Sequence, residues 1–253
     1  MSRLNEMDPA AKKFADFIRS SQSILFFTGA GISTESGIAD FRSPGGIWSK
    51  IKPIMFDEFL ADPELRMEDW RRRFHFQKTF DDAQPNDGHK AVARVLNNDN
   101  GLGLVTQNID GLHQRGGVTQ NQIIEIHGNG TRASCLDCRA PMTLKRAKEL
   151  VELTGKAPEC ERCKGITKAD IVSFGQPMPV EKMQNAQKWA LSCDLFIVLG
   201  SSLVVQPAAS LPVLAKNNGA QLVIVNREPT PMDSLADLVI NGPIGQTLSL
   251  IHI

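Results

Sequence analysis

The residues best suited to chemistry stand where two predicted strands end. Asn108 and Asp110 follow the apolar run 102–106, and His127 follows a second apolar run. An imidazole titrates near neutral pH and suits general-base work, while an amide and a carboxylate together can orient a polar ligand. Ordinary alternatives stay open, because Asn108 and Asp110 could cap a helix beginning near Gly111 and a lone histidine is often structural.

A Gly-x-Gly loop directly follows the first predicted strand. Ile24–Thr28 is apolar enough for an interior strand, and Gly29 and Gly31 let the backbone turn sharply and approach a pyrophosphate. Thr34 stands where the dehydrogenase fingerprint has its third glycine. The loop then continues through residues 40–42 instead of entering a long helix. The pattern predicts a bound dinucleotide and a further role for this loop.

Four of the five cysteines form two C-x-x-C pairs, Cys135 with Cys138 and Cys160 with Cys163. Four thiolates satisfy a tetrahedral zinc ion and leave no open position, so the pairs predict one structural zinc. Buried or redox-active cysteines are the alternative. Cys193 approaches a strand in apolar surroundings and is predicted to pack as a small hydrophobe.

The elements that position these residues alternate between strand and helix. Apolar runs at 24–28, 102–106, 123–126, 195–199 and 221–225 read as strands, with helices at 8–22 and near 207–217 among the segments between them. The pattern predicts an open parallel sheet whose ligands lie beyond its carboxyl edge. One crevice would then hold Gly29, Asn108, His127, Ser201 and Asn226.

The chain divides by composition into five segments. The fold class is α/β: a Rossmann-like open parallel sheet with a smaller inserted zinc-ribbon and helical domain. The Rossmann-like parts are 8–42, 91–130 and 171–253, the helical insert is 43–90, broken near Pro44, and the zinc-ribbon module is 131–170. Among the other histidines, His89 and His113 are interpreted as packing residues, and His75 and His252 have no informative context.

Composition excludes several classes of function. Lys plus Arg equal Asp plus Glu at 28 each, so no long-range field would recruit nucleic acid or an anionic membrane. Residues 1–20 lack the apolar stretch of a signal peptide, and no run of 18 apolar residues occurs. We expect a cytoplasmic monomer.

Taken together, these residues resemble the sirtuins, the NAD-dependent protein deacylases, over about residues 8–250. The resemblance is carried by seven features in this order: Gly29–Ser33, Gly37–Arg42, Thr106–Asp110, His127 with Gly128, the four paired cysteines, Ile171–Gly175, and Gly200–Pro207.

The resemblance implies NAD as co-substrate and an acyl-lysine protein or peptide as the other substrate. Asn108 and Asp110 would hold the nicotinamide end, Phe41 would shield the reacting ribose carbon, and His127 would deprotonate a ribose hydroxyl during acyl transfer to ADP-ribose. The implied NAD-binding residues are Gly29, Ala30, Gly31, Ser33, Asp40, Phe41, Arg42, Gln107, Asn108, Ile109, Asp110, Gly200, Ser201, Ser202, Asn226 and Arg227.

The same resemblance places the peptide between two flanking segments, with main-chain pairing as its chief contact. The implied peptide-binding residues are Val172, Phe174 and Gly175 on one side and Leu203 and Val204 on the other. The zinc ion would stay outside the reaction. Two assignments have ordinary alternatives: Asp40 and Arg42 could form a surface ion pair, and Ser201 and Ser202 could cap a helix.

The chain departs from the family pattern at Gln176, where the family has glutamate, and in having no tyrosine. The tyrosine and arginine pair that grips succinyl or malonyl groups is therefore incomplete, although Arg71, Arg72 and Arg73 fall in that region. Deacetylation is favoured. Desuccinylation or demalonylation through these arginines, protein mono-ADP-ribosylation, dehydrogenation and NAD sensing by a zinc-ribbon binding module without turnover are the alternatives.

Overall fold

The structure is a computed structural model that describes residues 9–43, 45–49 and 51–250, with the backbone alone at Trp48 and Leu250. Parts of the sequence-based prediction lie outside the described residues: residues 1–8 with the helix start at Asp8, the chain break at Pro44, and residues 251–253 with His252.

Six parallel strands form the larger sheet, in the order β3-β2-β1-β7-β8-β9. They are β1 Ile24–Thr28, β2 Gly101–Thr106, β3 Ile123–Glu125, β7 Leu195–Leu199, β8 Gln221–Val225 and β9 Leu238–Ile240. Chain order reverses between β1 and β7, which is the switch point of a doubly wound sheet. The predicted Rossmann-like parallel sheet is confirmed, and β9 is a strand that the sequence pattern did not reveal.

Helices cover both faces of this sheet. One face carries α1 Pro9–Ser20, α4 Asp87–Leu96 and α9 Ile244–Leu250, and the other carries α7 Val180–Ser192 and α8 Ser210–Asn217. Alternate strand residues enter alternate cores, so Phe26 packs on the first side and Phe27 on the second. The helix predicted over 8–22 is confirmed over Pro9–Ser20 and ends two residues early, whereas the helix expected near 207 begins at Ser210.

A smaller antiparallel sheet and a helical pair complete the described chain. The sheet has the order β5-β4-β6, with β4 Gly128–Cys135, β5 Pro141–Thr143 and β6 Thr167–Ile171. The helical pair is α2 Phe56–Ala61 and α3 Pro63–Asp82, and a further helix, α6 Leu144–Thr154, packs on β4 and β5. The short α5 Leu112–Arg115 belongs to the larger unit. Trp70 of α3 is buried against Ala133, Met142 and Leu144, which joins the helical pair to this sheet.

Two elements run across predicted segment boundaries. α4 spans the boundary at 90 and packs Val92 and Leu96 into the core under the larger sheet, while β4 starts before the boundary at 130. An amphipathic helix stays intact wherever its apolar face is buried, so a change in composition does not mark its end. The five-segment division stays a prediction. Of the helices in the described ranges, none has the length and apolar content needed to cross a bilayer.

The loops after β1 and β7 meet at the switch point through glycines. A Cβ on Gly31 would lie 2.7 Å from the Cα of Gly200, and a Cβ on Gly200 would lie 2.4 Å from the amide nitrogen of Ile32. Gly200 also has a φ of 65°. The Gly-x-Gly sequence therefore permits a backbone contact between two loops, in addition to any approach of a ligand.

Gly200→Ala should lower the free energy of unfolding by about 3 kcal/mol or more, because left-handed strain adds to a collision with backbone. Gly155→Ala is the matched control, since Gly155 has a φ of 68° and a Cβ there would have no atom within 4 Å. The control should lose only about 1–2 kcal/mol. Urea unfolding of the three proteins measures both values, and equal losses would contradict the backbone contact.

Candidate active site

A cavity of about 1360 Å³ lies at the carboxyl edge of the larger sheet, and its lining includes residues from the loops after β1, β2, β7 and β8 and from α3. All of the predicted catalytic and NAD-binding residues line it. They are Gly29, Ala30, Gly31, Ser33, Asp40, Phe41, Arg42, Gln107, Asn108, Ile109, Asp110, His127, Gly200, Ser201, Ser202, Asn226 and Arg227. The predicted common crevice is confirmed, and the individual roles stay predictions.

His127 is half-buried, and its Nδ1 lies 3.2 Å from the carbonyl oxygen of Gln107. Burial lowers the pKa of His127, the Gln107 carbonyl opposes that shift, and the charge of Arg42 lowers the pKa further. The ring is therefore neutral at neutral pH. A carbonyl can only accept, so Nδ1 carries the proton and Nε2 keeps a lone pair.

The strand before His127 is anchored by a buried carboxylate. Glu125 accepts hydrogen bonds from Gln114 Nε2 at 2.8 Å and from Asn129 Nδ2 at 2.6 Å, and pairs with Arg132 at 3.1 Å. These contacts bind residues on both sides of His127 to one side chain. The position of the imidazole thus depends on a saturated polar cluster.

The residue after His127 must be glycine. Gly128 has a φ of 82°, and a Cβ there would lie 1.9 Å from the carbonyl oxygen of Asp170. The amide of Val172 donates to the His127 carbonyl at 2.9 Å. β6 therefore runs directly alongside the candidate base.

Asn108 and Asp110 share a buried hydroxyl. Ser33 Oγ donates to Asp110 at 2.7 Å and accepts from Asn108 Nδ2 at 3.2 Å. Asp110 also accepts the Leu112 amide at 2.9 Å, which is the first amide of α5, although the N-cap of that helix is Gly111 and not Asp110 or Asn108. Burial raises the pKa of Asp110, and the Leu112 and Ser33 hydrogen bonds oppose that shift. The carboxylate can hold this amide and still line the cavity.

His113 is linked to Asn108 through two threonine hydroxyls. Its Nε2 lies 2.9 Å from Thr28 Oγ1, Thr28 lies 2.8 Å from Thr106 Oγ1, and Thr106 accepts the Asn108 amide at 3.1 Å. Burial is the first cause that lowers the pKa of His113, followed by the charge of His89. The sequence interpretation as packing missed this role, although two threonines ending apolar strands are a signal for it.

His89 approaches the same hydroxyl as Asp110. Its Nε2 lies 3.4 Å from Ser33 Oγ, and its ring centroid lies 4.8 Å from that of His113. Burial lowers the pKa of His89 to about 4. Two neutral histidines thus lie under the cavity floor without adding charge to it.

The loop residues beyond the glycines are held by local contacts. Asp40 accepts the amides of Arg42 at 3.1 Å and Ser43 at 2.9 Å. Asp40 therefore closes a turn, and the ion pairs found in the described residues do not include one between Asp40 and Arg42. Phe41 and the exposed Arg42 line the cavity.

On the other side of the switch point, Ser201 Oγ accepts Gln107 Nε2 at 2.7 Å and the Leu203 amide at 3.3 Å. The helix-cap alternative for Ser201 is not what the structure shows, because α8 begins only at Ser210. Asn226 Nδ2 donates to the Glu228 carbonyl at 2.6 Å. These side chains are preorganised by protein contacts.

The predicted peptide-binding residues divide into two groups. Val172, Phe174 and Gly175 line the cavity, while Leu203 and Val204 do not. Leu203 is packed in the core and Val204 is exposed. Sequence reasoning also missed an apolar part of the wall, which includes Ile47, Ile51, Ile54, Phe76 and Phe80.

The four paired cysteines converge, with their sulfur atoms all within 4.8 Å of one another. Four sulfurs about 2.3 Å from one zinc ion have this spacing, so the donor set fits a single tetrahedral zinc. Each pair is followed by a residue in the left-handed region, Arg139 with a φ of 59° and Lys164 with a φ of 63°. The same turn is thus used twice to hold the metal.

Fold and site together define a Rossmann-type dinucleotide-binding protein with a zinc module. The profile of the Sir2 family matches residues 29–207, which is more than half of the chain. The chain belongs to the Sir2 family.

Known relatives cover almost the whole chain. It is 50% identical to an NAD-dependent protein deacetylase of Rhodopseudomonas palustris and 48% identical to NAD-dependent protein deacetylase 1 of Bradyrhizobium diazoefficiens, with 96% of each chain covered in both cases. A solved structure described as Sir2 with a p53 peptide and NAD+ has a TM-score of 0.84, 34% identity and 96% coverage of both chains.

Zinc removal should unfold the β4–β6 module, because the metal joins the end of β4 to the turn before β6. A zinc chelator at neutral pH is expected to release one zinc per chain and to lower the melting temperature. Cys163→Ser should show the same loss, whereas Cys193→Ser, outside the cluster, should keep its zinc. Metal analysis and calorimetry measure these changes, and an unchanged melting temperature after zinc release would contradict a structural role.

Proposed function

We propose that this chain is an NAD-dependent protein lysine deacylase and that acetyl-lysine is its main acyl substrate. The observation that carries the proposal is that His127 lines the same cavity as Asn108 and Asp110 and that its Nε2 has no hydrogen-bond partner among the described residues. The proposal is also supported by relatives that bear the name deacetylase. Cytoplasmic location, a monomeric state and the absence of nucleic-acid binding stay predictions.

NAD, when bound, supplies a ribose carbon that is activated by the departure of nicotinamide. Asn108 and Asp110 bind the nicotinamide end, and Ser33 fixes both side chains in the orientation that this contact requires. Phe41 excludes water from the reacting carbon. Phosphates and riboses lie on the loop amides and hydroxyls at the switch point, among them Ala30 and Ser201.

His127 accepts the proton of a ribose hydroxyl at Nε2, which prepares that oxygen for the acyl group leaving lysine. The Gln107 carbonyl holds the ring through Nδ1 and stabilises the imidazolium once the proton arrives. Because burial and Arg42 keep the pKa low, the base is unprotonated before each turnover. The amide oxygen would bond to the ribose carbon as nicotinamide leaves, and one water molecule would be consumed when the C–N bond to lysine breaks. The products would be nicotinamide, the lysine amine and acyl-ADP-ribose.

The acylated peptide lies beside the acyl-peptide segment, which we define as residues 171–175. Val172, Phe174 and Gly175 line the cavity there. Pairing with peptide main chain explains how one enzyme accepts several sequences. Gln176 Oε1 accepts the Ser173 amide at 3.1 Å, so the residue that replaces the family glutamate closes the turn of this segment.

One observation favours a second candidate, removal of acidic acyl groups. Arg73 lines the cavity and is buried, and its Nε has no hydrogen-bond partner among the described residues. Other contacts favour neutral acyl groups: Arg72 is engaged by Glu68 and the Lys52 carbonyl, and the charge of Asp69 acts on Arg73. Arg71 is exposed and does not line the cavity.

Acyl preference is tested with matched acetyl-lysine and succinyl-lysine peptides. We expect kcat/KM for the acetyl peptide to exceed that for the succinyl peptide by about tenfold or more, because no tyrosine completes a carboxylate clamp. Arg73→Met is compared with Arg71→Met as the control. A succinyl preference that Arg73→Met abolishes and Arg71→Met keeps would establish the second candidate.

The role of His127 is tested by substitution and by pH. His127→Ala should lower acetyl-peptide turnover by about 100-fold or more, while His75→Ala, exposed and outside the cavity lining, should not. A base works when deprotonated, so activity falls only as pH drops through a pKa below about 6.5. Deacetylated peptide, followed together with nicotinamide release over many turnovers, measures both effects, because His127 acts after nicotinamide has left.

The same assay separates the remaining activities. Nicotinamide release without loss of the acetyl group, and with ADP-ribose on the protein, would replace deacylation by ADP-ribosyl transfer. Binding of NAD without any release would leave the sensing alternative.

A further inference from the structure

Lys168 of β6 is a buried lysine outside the proposed reaction. Its side chain is 2% exposed, its Nζ donates to the Ile171 carbonyl at 2.6 Å, and the same atom lies 5.9 Å from the centre of the Phe59 ring. The ammonium therefore binds the first residue of the acyl-peptide segment and the helix α2 at the same time.

Burial of this ammonium is unfavourable by itself. Burial lowers the pKa of Lys168 to about 8, the charges of Asp69 and Asp170 oppose the shift, and the charge of Arg73 adds to it. The ion pairs formed within the described ranges do not include Lys168. Since an unpaired buried charge costs stability, its presence points to a role that an apolar residue would not fill.

The acyl-peptide segment is held at three points. Lys168 binds the carbonyl of Ile171, the Phe56 amide at the start of α2 donates to the Phe174 carbonyl at 2.8 Å, and the Val172 amide donates to the His127 carbonyl at 2.9 Å. The Phe56 contact fixes the Phe174 carbonyl to α2, and the Lys168 contact fixes the Ile171 carbonyl to a β6 side chain that also lies against the Phe59 ring of α2. The third fixes the segment to the residue that carries the base.

We propose that Lys168 is a positioning residue for peptide binding, which locks the acyl-peptide segment between α2 and His127 through the Ile171 carbonyl. This inference rests on the proposed function. A segment that pairs with a peptide must already be extended, because each residue ordered on binding lowers affinity. Lys168 acts on peptide affinity, while the His127 ring keeps its own contact with Gln107.

The kinetic test compares Lys168→Met with Lys168→Arg. Lys168→Met should raise KM for an acetyl-lysine peptide about tenfold or more, the loss expected for a hydrogen bond from a charged donor, and change kcat by less than about twofold. KM for NAD should not change. Lys168→Arg keeps a charged donor and should restore KM to within about threefold of the unmodified protein.

Lys13→Met is the matched control. Lys13 also donates to a main-chain carbonyl, that of Asp237 at 2.9 Å, and lies over a phenylalanine, Phe17, at 5.4 Å. The cavity lining found in the described residues includes neither Lys13 nor these two partners. The proposal is overturned if the peptide KM rises no more in Lys168→Met than in Lys13→Met. It is also overturned if Lys168→Met lowers kcat and raises KM for NAD by the same factor by which it raises the peptide KM.

A second pair of variants tests the contact between the Phe56 amide and the Phe174 carbonyl, at the other end of the acyl-peptide segment. Phe56 is the first residue of α2, where proline is tolerated, so Phe56→Pro removes the amide donor and keeps the helix. Phe56→Ala removes the ring and keeps the donor. The proposal expects Phe56→Pro to raise peptide KM at least about threefold above Phe56→Ala, and equal values contradict it.

Hydrogen exchange supplies a measurement that needs no substrate. The Val172 and Phe56 amides should exchange at least about tenfold faster in Lys168→Met than in Lys13→Met, because the side chain that holds the acyl-peptide segment is missing. If the unmodified protein does not act on acetyl peptides, the proposed function fails on its own. Hydrogen exchange still tests whether Lys168 holds the acyl-peptide segment. Unchanged amide exchange rates in Lys168→Met overturn the proposal, and faster rates support it.

Discussion

The rest of the site depends on the close contact of two loop backbones at the switch point of the larger sheet. Gly31 and Gly200 approach so closely that neither position has room for a Cβ. This contact brings the end of β1 to the end of β7, and Gln107, after β2, reaches Ser201 across it. A doubly wound sheet places a ligand where its strand order reverses, and here the glycines decide how narrow that place is.

Beneath the cavity the protein joins neutral polar groups by hydrogen bonds, although Nδ1 of His113 has no partner among the described residues. Ser33 and Thr28 each join a strand-end side chain to a buried histidine, and burial keeps both imidazoles uncharged. In a region of low dielectric, a neutral network orients Asn108 and Asp110 without competing with the charge of a cofactor. Burial likewise lowers the pKa of His127, so the candidate base is also uncharged at neutral pH.

Sequence patterns predict the interior strands well, because a parallel strand buried on both faces reads as an uninterrupted apolar run. They also predict the cysteine cluster and the convergence of strand-end residues. The roles of His89, His113 and Lys168 could not be predicted, since they arise from partners distant along the chain, as with His113 and Thr28. Leu203 shows a related limit: a short motif indicates a segment, but burial decides which side chains reach the cavity.

The two sheets meet at the candidate base. β3 ends at Glu125 and β4 begins at Gly128, so Ile126 and His127 alone separate the parallel sheet from the antiparallel one. Gly128 pairs with Ile171 at the cavity, and Cys135 pairs with Thr167 at the metal end of the same two strands. Thr167 and Ile171 are four residues apart, so zinc holds β4 against β6 at a point about 13 Å from the cavity end, at roughly 3.3 Å per strand residue, although the register shifts between Gly128 and Ala133. A metal that takes no part in the chemistry can still determine where the base and the peptide segment lie relative to each other.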